Sequence, residues 1–373
     1  MKQFWLKTQV HKFNTVVEFS KEFILGEEDL LFTHEFLYER FIKPLNIKVK
    51  KVLFLEKYGL GEPSKEMVES ILSDLKGVNY KRVIAIGGGS VMDVSKILAL
   101  KTPNSIGEVY DKVELPVKEK ELIIIPTTCG TGSEVTDIAV LKFIEKHSKV
   151  GLVTNEYIAD YAVLIPEIVK DLPYEPFIYS SVDALIHAVE SFVAKRATNY
   201  SQIFAEKAIE IIIKGYKKIL EKGPEYRKEI IEDFVVGSNY AGIAFYNSGV
   251  GGVHALSFPL GGQYNVPHGE SNYRCFLEIF KTYFRKAPTG KILELNDILA
   301  GLLGVQNNVD VYDELEKLLS GLITEKKLRE YGMKEEEIYS FTDSVISCQQ
   351  RLLINNHVEF TKEDIINIYK KLY

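Results

Sequence analysis

From its start to about residue 178 the chain alternates short β-branched runs with amphipathic stretches, and this alternation limits the fold more than any other feature. VLFLE at 52–56, RVIAIGGGS at 82–90 and ELIIIPTT at 121–128 are the clearest runs. Strands separated by helical stretches predict βαβ units and a parallel sheet. Beyond 178 the texture changes. SSVDALIHAVESFVA, YSQIFAEKAIEIIIKGYKKIL and MKEEEIYSFTDSVISCQQRLLI space their apolar residues at helical intervals, with no strand-like run between them. Pro166, Pro173 and Pro176 punctuate the junction. A chain of 373 residues exceeds what one core usually supports. The expected organisation is therefore an α/β domain over 1–178 and a helical domain over 179–373.

Two loops of the first domain carry groups suited to a ligand. The run RVIAI passes directly into Gly87, Gly88, Gly89 and Ser90 and then into the helical stretch VMDVSKILAL. A strand, a glycine turn and a helix N-terminus make an anion site: the backbone is open to close approach, and the unpaired N–H groups and helix dipole favour negative charge. The turn lacks the GxGxxG pattern of the usual dinucleotide fingerprint, and a tight loop that only needs glycine geometry has the same composition. The next strand runs into Pro126-Thr127-Thr128-Cys129-Gly130-Thr131-Gly132-Ser133-Glu134. These hydroxyls lie at the carboxyl end of the sheet, where open α/β sheets bind ligands. Capping of a following helix would use the same residues.

In the second domain, Asp183 and His187 stand four apart in SSVDALIHAVESF, so their side chains share one helix face. His254 and His268 follow, with Gly251, Gly252, Gly261, Gly262 and Gly269 around them. Three imidazoles and a carboxylate suit Fe²⁺, Zn²⁺ and similar borderline ions. Singly, each histidine is more often a hydrogen-bonded core or surface residue; what distinguishes them is that three of only seven histidines fall in these segments.

Charge and composition exclude other classes. With 52 acidic against 46 basic residues, net −6, the chain has no surplus positive charge for a nucleic-acid backbone. The N-terminal MKQFWLKTQVHKFN has no signal-peptide core, and no apolar run reaches the length of a membrane span. Cys129, Cys275 and Cys348 form neither a CxxC pair nor a disulfide framework. A cytoplasmic protein with reduced cysteines, small-molecule substrates and no nucleic-acid or membrane partner is expected.

GGGSVMD, PTTCGTGSEVT, SSVDALIHAVE, GGVHAL and YNVPHGE together resemble, in order and spacing, the iron-containing (group III) alcohol dehydrogenases. The resemblance covers nearly the whole chain. It implies a Rossmann-like dinucleotide-binding α/β domain followed by a helical metal-binding domain, the architecture shared with dehydroquinate synthase, and it points to a homodimer. It also implies that Asp183, His187, His254 and His268 bind one divalent metal, Fe²⁺ favoured and Zn²⁺ the alternative. Gly88, Gly89 and Ser90 match the pyrophosphate loop, Asp93 the acid early in the following helix, and Thr127, Thr128 and Thr131 the nicotinamide-side loop. Lys149 sits where the family places a lysine near the nicotinamide ribose, although EKHSK also reads as a solvated stretch. Tail and loops, including EIIEDFVVGSNYAGIAF and LREYGMKEEEI, are most similar to members that oxidise 4-hydroxybutyrate with NAD.

Two departures stand out. At the adenosine-ribose position, where members often carry an acid, this chain has His34 with Glu35 beside it; a carboxylate there bonds the ribose hydroxyls and repels a 2′-phosphate. NAD is expected, with NADP left open. Where many members carry a proton-relay histidine four residues after the third ligand, this chain has Phe258. The expected reaction is hydride transfer between NAD(H) and a primary alcohol–aldehyde couple, with 4-hydroxybutyrate and succinic semialdehyde favoured. An uncharged alcohol or diol of the butanol, 1,3-propanediol or lactaldehyde type is the runner-up, and a dehydroquinate synthase-like lyase stands behind it. A substrate carboxylate wants a fixed cation, for which Arg274 leads, with Lys142 and Arg196 behind.

Overall fold

The computed structural model describes residues 3–59, 61–103, 105–144, 148–306 and 311–373. The chain divides into two compact units, Leu6–Leu172 and Pro173–Tyr373, the latter joined by Met1–Trp5.

The first unit is built on a six-stranded sheet. Its strands are β1 (Gln9–Lys12), β2 (Asp29–Thr33), β3 (Lys51–Phe54), β4 (Arg82–Gly87), β5 (Glu121–Pro126) and β8 (Tyr161–Leu164). They lie in the order β1-β8-β5-β4-β2-β3, and every pairing is parallel. Burial explains the unbroken apolar runs, because successive side chains leave on opposite faces and both faces are covered. Leu30, Phe32, Val83, Ala85, Leu122 and Ile124 join one apolar cluster. Leu31, Ile84, Ile86, Ile123 and Ile125 join the other. A separate antiparallel pair, β6 (Ile138–Phe143) with β7 (Ser148–Val153), was not foreseen from the sequence. In β6 buried and half-buried residues alternate, which marks a strand with only one covered face.

The connections fix where a ligand can lie. From β2 the chain continues outward to β3, whereas from β4 it continues the opposite way to β5. The carboxyl ends of β2 and β4 therefore flank the topological switch point, where open α/β sheets leave a crevice for ligands.

The second unit is helical among its described residues. Helix Tyr174–Val193 is buried along most of its length and packs against helices Asn199–Lys222, Ile231–Ser248 and His268–Lys286. A capping box between Thr198 and Ser201 starts the second of these. Helix Gly252–Tyr264 ends at Asn265, which takes a left-handed φ of 53°. One glycine is required by close approach: a Cβ on Gly269 would lie 2.3 Å from the Tyr179 carbonyl oxygen. Its absence lets helix His268–Lys286 seat its first turn on helix Tyr174–Val193. No helix among the described residues is long and apolar enough to cross a membrane.

Candidate metal centre and dinucleotide loops

Three helices of the second unit bring Asp183, His187, His254 and His268 together. One ligand atom from each lies within 4.8 Å of all the others. Helix Tyr174–Val193 supplies the first two from one face, Gly252–Tyr264 supplies His254 in its first turn, and His268 opens its own helix. Asp183 Oδ1 lies 3.9 Å from His254 Nε2 and 3.8 Å from His268 Nε2, and Asp183 Oδ2 lies 3.9 Å from His187 Nδ1. Those separations exceed hydrogen-bond length, as expected of donors arranged around a common point rather than bonded to each other.

His254 and His187 approach through their Nε2 atoms at 3.0 Å. His254 Nδ1 lies 2.6 Å from Glu190 Oε2. A carboxylate only accepts, so Nδ1 carries the proton and Nε2 presents its lone pair to the cluster. Glu190 is itself fixed, its Oε1 accepting from the Val253 backbone N–H at 2.7 Å. Asn272 donates to Asp183 Oδ1 at 2.7 Å and sits 3.1 Å from His268 Nε2, while Ser257 donates to its side-chain oxygen. Burial, the largest influence on Asp183, raises its pKa. The three imidazoles, when charged, and the hydrogen bond from Asn272 outweigh it and hold the carboxyl below its ordinary value; a cation at the same point would act in the same direction. A charged carboxylate among imidazole lone pairs fits a borderline divalent cation. Phe245 stacks on the His187 ring at 4.9 Å, and Phe258 lies 6.1 Å from the His268 ring.

The two loops read from the sequence lie side by side in the first unit. β4 and β5 are paired through Gly87 and Pro126, and the Thr127 N–H donates to the Gly87 carbonyl at 3.1 Å. A Cβ on Gly87 would fall 2.4 Å from Val91 Cβ, so this glycine serves the packing of helix Gly89–Leu98 on its strand. On Gly88 and Gly89 the nearest atoms to an added Cβ are the methyls of Thr128 and Thr131, at 3.5 and 3.2 Å. Helix Gly89–Leu98 begins without a side-chain cap. A half-buried turn whose helix starts without a side-chain cap, at a switch point, fits a pyrophosphate.

Other expected residues are placed differently. Both Asp93 oxygens are committed, to Ser133 Oγ at 2.7 Å and the Val140 N–H at 2.9 Å. Asp93 thereby braces the threonine loop together with Lys96, which is 0% exposed and bonds Ser133, Thr136 and the Ile138 carbonyl. Lys149 pairs with Glu62 at 2.6 Å. Ser90 Oγ donates to the Gly61 carbonyl at 2.9 Å. Lys142 stands opposite Lys149 in the β6–β7 pair, and Arg196 is exposed. Arg274 is a correction: it is only 5% exposed and is already ion-paired with Glu325. Six residues along its helix, it projects about 120° away from His268, which leaves no ground for giving it the substrate carboxylate. Glu190, Asn272 and Glu56 were missed. Glu190 follows Asp183 by seven and Asn272 follows His268 by four, so same-face spacing signals both; Glu56 had no such signal.

Comparison with known proteins shows what the whole chain is similar to. Residues 9–166 match the family described as iron-containing alcohol dehydrogenase, and residues 177–373 match the Fe-containing alcohol dehydrogenase family, C-terminal. The 4-hydroxybutyrate dehydrogenase of Clostridium kluyveri is 56% identical over 374 residues, covering 100% of both chains. Long-chain-alcohol dehydrogenase 1 of Geobacillus thermodenitrificans is 34% identical over 84% of this chain and 80% of its own. Among solved structures, sulfoacetaldehyde reductase of Bifidobacterium kashiwanohense in complex with NAD⁺ shares the fold, with a TM-score of 0.85 at 24% identity over 100% of this chain and 99% of its own.

Proposed function

This chain belongs to the iron-containing alcohol dehydrogenase family, and we propose that it moves a hydride between NAD(H) and the couple 4-hydroxybutyrate–succinic semialdehyde. The convergence of Asp183, His187, His254 and His268 carries the metal-dependent part of this reading. The full-length likeness to a 4-hydroxybutyrate dehydrogenase supports the substrate. The four side chains would hold Fe²⁺, with Zn²⁺ as the alternative that the same donors accept. Bound there, a divalent ion supplies a Lewis acid for the substrate oxygen, and the dinucleotide supplies the hydride chemistry.

What the chain itself contributes is orientation. Glu190 fixes the His254 ring by accepting from Nδ1, so that Nε2 faces the cluster. Asn272 turns the Asp183 carboxylate toward the same point. Gly88, Gly89 and the threonine loop offer backbone N–H groups and hydroxyls for the cofactor's phosphates and nicotinamide side. Phe258, beside His268, holds no proton, so the alcohol proton leaves by a route that does not use this position.

The test is a comparison of succinic semialdehyde with butyraldehyde, using NADH and protein purified anaerobically with Fe²⁺. The two aldehydes share a four-carbon backbone and differ in the carboxylate. A charge-assisted contact is worth about 1.5–3 kcal/mol, so kcat/KM should favour succinic semialdehyde by roughly tenfold to a hundredfold. Equal or better use of butyraldehyde would move the assignment to an uncharged alcohol. The proposal includes a homodimer: β1 lies at the sheet edge, and Val10, Tyr200 and Ile203 are exposed. Light scattering in solution reads the mass directly.

A further inference from the structure

The metal centre and the phosphate turn leave one charged contact at the sheet's carboxyl edge unexplained. β2 and β3 end in register, Thr33 opposite Phe54. Just beyond them, His34 Nδ1 lies 2.8 Å from Glu56 Oε1, and the other Glu56 oxygen accepts from the Glu35 backbone N–H at 3.3 Å. One carboxylate is thus pinned across two strand ends. Its side chain remains 33% exposed and that of His34 25%, so this is a surface feature with spare acceptor capacity rather than a buried brace.

Its position follows from the topology. The dinucleotide reading places the pyrophosphate at Gly88–Ser90 beyond β4 and the nicotinamide half over the β5 loop, Thr127–Thr131. The adenosine half must then run the other way, over β2 and toward β3. Neighbouring strands are about 4.8 Å apart, so the end of β3 stands roughly 10 Å from the phosphate turn, a span that an adenosine ribose covers. Position 34 itself has no carboxylate in this chain, and Glu56 supplies one beside it.

We infer that Glu56, held in place by His34, is the residue that selects NAD over NADP. Its carboxylate accepts from the ribose hydroxyls and repels a 2′-phosphate. His34 acts as a positioning residue, and the Glu35 side chain, for all its nearness in sequence, does not take this role. The inference rests on the dinucleotide reading above.

Calorimetric titration of NADH and NADPH into the Fe²⁺-loaded protein tests it without an activity readout. Wild-type protein should bind NADH at least about tenfold more tightly than NADPH. Glu56→Gln keeps the shape and removes the charge, so the preference should fall by about tenfold, chiefly through tighter NADPH binding. Glu56→Lys should bring the preference to parity or reverse it. His34→Ala should erode the preference, and His34→Asn, which keeps a donor for the carboxylate, should restore part of it. Glu35→Gln should leave it unchanged. Matching melting curves confirm that each variant is folded, and two independent Glu56 variants cover the failure of either. A preference that survives both Glu56 variants, or one that collapses in Glu35→Gln, overturns the inference while leaving the dehydrogenase reading intact. Wild-type protein binding the two nucleotides equally also overturns it. Wild-type protein binding neither nucleotide overturns the dinucleotide reading itself.

Discussion

At the scale of single residues, the metal centre depends on groups that would never touch the metal. Glu190 holds His254 through a 2.6 Å contact in a buried setting, and orienting carboxylates of this kind are typically worth tenfold to a hundredfold in metal affinity. Glu190→Gln should therefore lose metal to a competing chelator at a concentration roughly tenfold to a hundredfold lower, with folding preserved; metal retained at wild-type chelator levels would reduce Glu190 to a partner of the Val253 N–H. His268→Ala removes a donor whose side chain is 34% exposed, so little packing is lost. It should purify with a normal circular dichroism spectrum, no stoichiometric metal and no turnover, as read by elemental mass spectrometry and steady-state assay. Full occupancy with normal rates would take His268 out of the centre. The four ligand candidates were legible because histidines are scarce and motif-bound. The partners Glu190 and Asn272 were legible only as helical repeats, since helix Tyr174–Val193 is apolar around most of its circumference and gives an acid on it no obvious destination.

At the scale of elements, one glycine sets how a helix meets its neighbour and another does not, and their substitution separates packing from mere flexibility. Gly269→Ala would drive a methyl into the Tyr179 carbonyl, 2.3 Å away, and backbone cannot step aside as a side chain can. Overpacking of this kind costs about 1–3 kcal/mol, so the melting temperature should fall by several degrees and metal affinity with it, because the same contact seats His268 beside Asp183. Gly262, inside helix Gly252–Tyr264, has nothing within 4 Å of an added Cβ. Gly262→Ala should be neutral or stabilising by up to about 1 kcal/mol. If both alanines behaved alike in thermal melts, the helix contact at Gly269 would not be what anchors the centre. The parallel strands were legible because burial on both faces makes their runs continuously apolar. The β6–β7 pair was not. Its alternating residues, with Lys142 and Lys149 among them, give a weaker signal than the neighbouring core strands, and the sequence EKHSK reads as a solvated stretch. Asp93 and Lys96 show the same limit: the motif marks Asp93 but not Lys96, and only the packed loops reveal that they bond to Ser133, Thr136 and Val140.

At the scale of the whole molecule, the two candidate sites draw on different parts of the chain, and that gives a prediction about where each ligand acts. Every side chain of the metal centre belongs to the unit Pro173–Tyr373, and the glycine turn, threonine loop and His34–Glu56 contact belong to Leu6–Leu172. The texture change that suggested a boundary at 178 falls within helix Tyr174–Val193, because the first turn of that helix contains Pro176 and reads as linker. A ligand that binds only the folded state stabilises it by an amount set by its concentration relative to Kd, about 2.7 kcal/mol at a hundredfold excess. The local opening it suppresses is that of the elements it joins. Hydrogen exchange followed by mass spectrometry should therefore show two patterns. Removing metal with a chelator should speed exchange most in helices Tyr174–Val193, Gly252–Tyr264 and His268–Lys286, because the three helices that carry the four donors are no longer tied together. Adding NADH should slow exchange most at residues 34–35, 55–57, 87–91 and 127–133, where the backbone N–H groups would be covered. If NADH protected 87–91 and 127–133 but left 34–35 and 55–57 untouched, the adenosine would not reach the β2–β3 edge. If chelation changed the sheet loops more than the three helices, the metal would not be held by Asp183, His187, His254 and His268.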